Sequence, residues 1–139
     1  MGETWKLAEK VAQTLKGGDI LGLVGDLGGG KTTFTKGLAK ALDIKDEIQS
    51  PTFTLIKEYI VNCQLSAVNC KLKELYHLDM YRINSEKEAK ELGLEELFSA
   101  KDAIFVVEWA DRIKNLLPKR TKFIKFDFVD ETTRKISLK

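Results

Sequence analysis

Ile20-Leu21-Gly22-Leu23-Val24 runs directly into Gly25-Asp26-Leu27-Gly28-Gly29-Gly30-Lys31-Thr32, and this join decides the architecture. The first five residues are apolar and bounded by glycines, which suits a strand buried on both faces. The next eight fit G-x-x-x-x-G-K-S/T at every fixed position. Glycines let the backbone curl so that successive N–H groups point inward at phosphate oxygens. A helix beginning at Lys31 adds the positive end of its dipole. Residues 31–42 carry that helical pattern, with Phe34, Leu38, Ala41 and Leu42 on one side. Lys31 then reaches the β- and γ-phosphates of a nucleotide as a point charge, and the Thr32 hydroxyl ligates Mg²⁺.

Outward from this join the chain reads as alternating helices and strands. Trp5, Ala8, Val11, Ala12 and Leu15 recur at helical spacing over residues 3–16, and Gly17-Gly18 closes that helix. After Ser50-Pro51, residues 52–61 alternate and are rich in β-branched and aromatic side chains, so a strand is expected there. A second strand over 73–80 completes an antiparallel hairpin, and the intervening loop carries Cys63 and Cys70. Residues 85–99 read as helical with a break at Gly93, with Leu92, Leu94 and Leu97 turned inward. Residues 103–108 form the second buried strand, and 110–117 a short helix stopped by Pro118. Residues 123–129 and 134–138 form a closing hairpin that turns at Asp130-Glu131.

Composition narrows the class. The 139 residues fit one domain spanning 1–139. Hydrophobic residues make up 43% and charged residues 32%, a globular balance. No apolar run approaches the ~20 residues of a membrane span. The opening residues carry acids and no apolar core, so a secretory signal is not expected and the cytoplasm is the expected compartment. The cysteines form no C-x-x-C pair and are expected to be free thiols. Net charge is +2, too small to argue for nucleic acid. Residues 1–111 hold 14 Lys+Arg against 18 Asp+Glu, whereas residues 112–139 hold 9 against 3, an asymmetry that fits either an electropositive face toward a partner or a solvated lysine-rich surface.

Two acids can complete a nucleotide site. Glu108 ends the apolar run 104–107, as in a Walker B strand with Glu in place of Asp, and Asp79 ends the other strand. One carboxylate can hold Mg²⁺ while the other orients the attacking water. His77, the only histidine, reads more readily as a packed, hydrogen-bonded side chain than as a base. No Asn-Lys-x-Asp segment occurs, which favours ATP over GTP.

Five segments in order carry a family resemblance. They are residues 25–33, Ser50-Pro51-Thr52-Phe53, His77-Leu78-Asp79-Met80-Tyr81-Arg82, Glu91-Leu92-Gly93-Leu94-Glu95-Glu96 and Val107-Glu108-Trp109-Ala110-Asp111. Together they resemble the TsaE (YjeE) family, small ATPases of bacterial tRNA threonylcarbamoyladenosine synthesis. The family usually has alanine where this chain has Gly29, a change that keeps the loop permissive. The resemblance implies an α/β, P-loop NTPase-like three-layer sandwich with a mixed parallel/antiparallel sheet. It also implies weak, Mg²⁺-dependent ATP hydrolysis and a partnership with the TsaB–TsaD heterodimer, which modifies adenosine 37 of tRNAs reading codons that begin with adenine. By motif position, Gly25 to Thr33 would hold the nucleotide, Lys31 its phosphates, and Thr32 and Glu108 the Mg²⁺. Asp79 would be catalytic or metal-linked, Trp109 would lie near the nucleotide, and Thr52 would belong to a loop sensing the γ-phosphate. The low net charge implies that tRNA is contacted only through partners. A P-loop small-molecule kinase and a non-hydrolytic ATP-dependent switch are the alternatives.

Overall fold

The computed structural model describes residues 2–25, 31–45, 48, 56–61, 73–128 and 134–138. The phosphate-loop residues Asp26, Leu27, Gly28, Gly29 and Gly30, the segment Ser50-Pro51-Thr52-Phe53, both cysteines and the Asp130-Glu131 turn lie outside the described residues.

Six strands form one sheet in the order β2-β3-β4-β1-β5-β6. They are β1 (Ile20–Gly25), β2 (Ile56–Ile60), β3 (Glu74–Asp79), β4 (Ala103–Glu108), β5 (Lys122–Phe128) and β6 (Arg134–Leu138). The four inner strands β3, β4, β1 and β5 are parallel, and the edge strands β2 and β6 pair antiparallel with their neighbours. Strand position follows composition. β4, next to the centre, is buried at all six residues, and β1 is buried from Ile20 to Leu23. Edge strand β2 exposes Lys57, Glu58 and Ile60. A parallel interior buries both faces, hence the continuous apolar runs of β1 and β4.

Helices cover both faces and make three layers. On one face, α1 (Gly2–Thr14) and α2 (Lys31–Ala41) close over Leu21, Leu23, Leu75, Ile104 and Val106. On the other, α3 (Glu86–Glu91), α4 (Leu94–Leu97) and the 3₁₀ helix Ala110–Leu116 close over Ile20, Leu78, Phe105 and Val107. The chain is therefore an α/β sandwich with a mixed sheet. Among the described residues no helix is long and apolar enough to cross a membrane.

Local chemistry sets the element ends. The Ser85 hydroxyl accepts from the Glu88 N–H at 3.2 Å, and the Glu88 carboxylate reaches back to the Asn84 N–H at 3.2 Å, which caps α3 reciprocally. Gly93, in the left-handed region, separates α3 from α4 at the expected break. Leu92 departs from expectation: it is 41% exposed, because the chain turns at Gly93 before a second helical turn can bring it inward. The glycine pair after α1 also acts differently from a simple cap. The helix stops at Thr14, and Gly17 passes so close to the Lys101 carbonyl that a Cβ would occupy the oxygen's place. Gly17 thus serves close backbone approach at the entry to β1, while Gly18 takes a positive φ of +94° that glycine accepts without strain.

Two cations of the basic C-terminal stretch have structural work in the fold. Arg120 donates to the carbonyls of Gly18 at 3.0 Å and Phe98 at 2.6 Å, and Lys122 lies 3.5 Å from the Asp19 carboxylate. They tie the start of β5 to the turn before β1 and to the end of α4.

Candidate nucleotide and metal site

Strands β1, β3 and β4 run parallel and finish together. Gly25 ends β1, Asp79 ends β3 and Glu108 ends β4, with Asp79 opposite Glu108 and Leu23 opposite Glu108 in the ladder. In an open α/β sheet, ligands bind outside the carboxyl ends of the strands. Side chains alternate between the faces of a strand, so His77, Asp79 and Glu108 share the face of Leu75, Val106 and Leu23. That is the face covered by α2, which begins at Lys31. Gly25 leaves the sheet at φ +133°, where an added Cβ would run into the Phe126 carbonyl. Only glycine lets the chain turn off β1 at this place.

Lys31 is 4% exposed. Its Nζ donates to the Gly25 carbonyl at 3.1 Å and lies 3.7 Å from the centre of the Trp109 ring. The ammonium is thus held at the end of β1, between a backbone oxygen and an aromatic face. Thr32 and Thr33 follow it in the first turn of α2, both half-buried.

Trp109 adopts a left-handed backbone conformation, φ +58° and ψ +40°, immediately after Glu108. Such a conformation is rare for a bulky side chain and is held only where surrounding contacts fix it. Those contacts are present. The indole packs on Tyr81 at 5.1 Å between ring centres, under the Lys31 ammonium, and 5.7 Å from the Arg112 guanidinium. Arg112 also donates to the Ile83 carbonyl at 3.3 Å. This aromatic and cationic cluster unites Lys31 with Trp109 and adds Tyr81 and Arg112. Tyr81 lay within a motif segment, but nothing in the spacing pointed to Arg112.

The two acids are held differently. The Asp79 carboxylate accepts from the Tyr81 N–H at 3.0 Å and so shapes the turn after β3. Glu108 is 5% exposed, and its Oε2 lies 2.5 Å from Nε2 of the wholly buried His77. His77 is therefore a packed, hydrogen-bonded side chain, and its partner is the carboxylate expected at the metal. Periodicity could not show this pairing, which depends on β3 lying beside β4.

The donor set suits Mg²⁺. Thr32, Glu108 and Asp79 offer hard oxygen ligands from the ends of α2, β4 and β3. Among the described residues no three or more His, Cys, Asp or Glu gather into a site able to hold a metal alone. Mg²⁺ bound through one or two protein oxygens, waters and substrate phosphates needs no such cage. On the opposite face of the sheet, Val24, Gly25, Phe123, Lys125, Asp111 and Lys114 line a cleft of about 350 Å³. It opens beside the start of the glycine-rich loop and has the size of a small-molecule subsite.

Comparisons with known proteins agree with this fold. The family profile described as "Threonylcarbamoyl adenosine biosynthesis protein TsaE" matches residues 1–136. The tRNA threonylcarbamoyladenosine biosynthesis protein TsaE of Bacillus subtilis (strain 168) is 42% identical over 135 residues, which cover 97% of this chain and 78% of the relative. Its counterpart in Aquifex aeolicus (strain VF5) is 36% identical over 138 residues, covering 98% of this chain and 88% of the relative. Among solved structures, Bacillus subtilis YdiB superposes with a TM-score of 0.74 at 38% identity, covering 99% of this chain and 78% of that one.

Proposed function

The chain belongs to the TsaE family of threonylcarbamoyl adenosine biosynthesis proteins, and from that membership we propose that it is a Mg²⁺-dependent ATPase serving tRNA modification in the cytoplasm. It acts with the TsaB–TsaD heterodimer, which forms the threonylcarbamoyl group on adenosine 37 of tRNAs reading codons that begin with adenine. The observation that carries this reading is the convergence of Lys31, Asp79, Glu108 and Trp109 at one end of the parallel strands.

The chemistry assigned to the site is positioning and charge stabilisation. The loop from Gly25 to Gly30 cradles the phosphates with backbone N–H groups. Lys31 exchanges its bond to the Gly25 carbonyl for the β- and γ-phosphate oxygens. Thr32 and Glu108 hold Mg²⁺, which when bound neutralises charge on the triphosphate. Asp79 orients the attacking water, and Thr52 reports the γ-phosphate to the partner. Trp109 flanks the phosphate-binding lysine, and the cleft lined by Val24 and Phe123 offers room for the base and ribose. Arg112 is engaged with Trp109 and the Ile83 carbonyl. With no arginine assigned to the transferring phosphate, turnover in the isolated protein is slow. Contact with tRNA runs through the partners, in keeping with a net charge of +2.

Reconstitution tests the proposal. With the TsaB–TsaD pair, tRNA and the other substrates present, many rounds of modification should require this chain and hydrolysable ATP. Sustained turnover with a non-hydrolysable analogue would replace the ATPase by a binding-only switch. ATP-dependent phosphorylation of a nucleoside or small metabolite by the isolated chain would replace it by a kinase.

A further inference from the structure

His77 is the only histidine of the chain, it has no exposure to solvent, and no part of the proposed reaction uses it. Its Nε2 lies 2.5 Å from Glu108 Oε2, while its Nδ1 is buried with no hydrogen-bond partner among the described residues. A core position filled for packing alone would be better served by an apolar side chain of similar size, because an unsatisfied buried nitrogen is destabilising. The imidazole is therefore kept for its bond to Glu108.

The ladder explains how the two meet. His77 stands opposite Val106 and Asp79 opposite Glu108, so residues 77 and 79 of β3 lie along the flank of Glu108 on the same face. To donate to the Glu108 carboxylate, the imidazole carries its proton on Nε2, an arrangement consistent with an Nδ1 that meets no donor among the described residues. Glu108 Oε2 is then fixed, and Oε1 is the oxygen left to turn toward a ligand at the strand end. β3 accordingly supplies one acid directly through Asp79, whose own carboxylate is held by the Tyr81 N–H.

We propose that His77 is a positioning residue for Glu108: its Nε2–H holds one carboxylate oxygen so that the other is presented, in a fixed orientation, to the metal of a bound metal–nucleotide complex. The inference rests on the nucleotide-site reading above. Partners that orient a ligating carboxylate typically change metal affinity ~10–100-fold when removed. They act before any chemistry, so the effect is on binding.

The experiment uses the full chain with ADP and Mn²⁺ as the probe, free Mn²⁺ being followed by electron paramagnetic resonance. Two apolar variants, His77→Leu and His77→Met, are compared with His77→Gln, whose side-chain amide can donate from a similar position. The apolar variants relieve the unpartnered Nδ1 but leave the buried Glu108 carboxylate without its donor, so they should stay folded with a lower melting temperature than wild type and bind Mn²⁺ ~10–100-fold more weakly in the nucleotide complex. ADP affinity in the presence of a chelator should stay unchanged, and His77→Gln should recover most of the metal affinity. A folded apolar variant with wild-type Mn²⁺ affinity overturns the proposal. So does an equal loss in all three variants, which would assign His77 to packing. A wild-type protein that binds no Mn²⁺ with ADP overturns the nucleotide-site reading itself, and the role of His77 falls with it.

Discussion

Trp109 combines a left-handed backbone with a large side chain, and the two have opposite effects on stability. Left-handed geometry costs an L-residue roughly 1–2 kcal/mol. The indole offsets this through its contact with Tyr81, about 0.5–1.5 kcal/mol, and through the buried Lys31 ammonium above it, about 1–2 kcal/mol. Replacing Trp109 by alanine removes both contacts and keeps the strain. Replacing it by glycine removes the contacts and the strain together. The glycine variant loses about 0.4–1 kcal/mol of this advantage through the greater freedom of its unfolded chain. The net expectation is that Trp109→Gly is more stable than Trp109→Ala by about 0.5–1 kcal/mol, the reverse of the order at ordinary positions. For a chain of this size that is a melting difference of ~2–4 °C. Urea denaturation of the nucleotide-free proteins, with midpoints compared at equal slope, measures it. Both variants should bind Mg-ADP more weakly than the parent, because the strain is retained for a side chain placed beside Lys31. An alanine variant as stable as the glycine variant, or more so, would refute the argument that strain is stored at this position.

Other outcomes follow from the same geometry. Gly25→Ala forces a Cβ onto the Phe126 carbonyl at a backbone φ of +133°, and should destabilise the fold by at least ~2–3 kcal/mol in chemical denaturation while abolishing nucleotide binding. Ser85→Ala removes the cap of α3 and should cost about 1 kcal/mol with nucleotide binding unchanged, which separates stability from the site. The Tyr76 hydroxyl donates to Glu74 at 2.7 Å, and the carboxylates of Glu74 and Glu58 push its ionisation above the ordinary tyrosine range. Its folded value lies above its unfolded one, so its stabilising contribution is complete below about pH 10 and declines as pH rises further. Ultraviolet titration should show a late tyrosine ionisation that Tyr76→Phe removes.

What the sequence disclosed is what composition and period encode. Continuous apolar runs marked β1 and β4 as doubly buried strands, and both lie inside the sheet. Alternation marked the β2–β3 hairpin, and Gly93 the break between α3 and α4. The loop pattern placed Lys31 at the start of α2, and the apolar runs marked Asp79 and Glu108 as strand ends. Contacts set by strand order were not legible. His77 and Glu108 are 31 residues apart and meet only because β3 neighbours β4. The left-handed turn at Trp109 left no local signature, because nothing but tertiary packing favours it in a tryptophan. Arg112 joined the site through the fold of the 3₁₀ helix rather than through a motif. Leu92 fitted the helical period and is exposed all the same, since period carries no information about where a helix turns away.

In the proposed reaction, Lys31 leaves the Gly25 carbonyl and the Trp109 face to hold the phosphates of Mg-ATP. Calorimetric titration of Mg-ATP into the wild type and into Lys31→Ala tests it most directly, with thermal melting as the control for folding. Saturable binding by the wild type, lost in a variant that melts normally, is the expected result. Equal binding by the two proteins would contradict it.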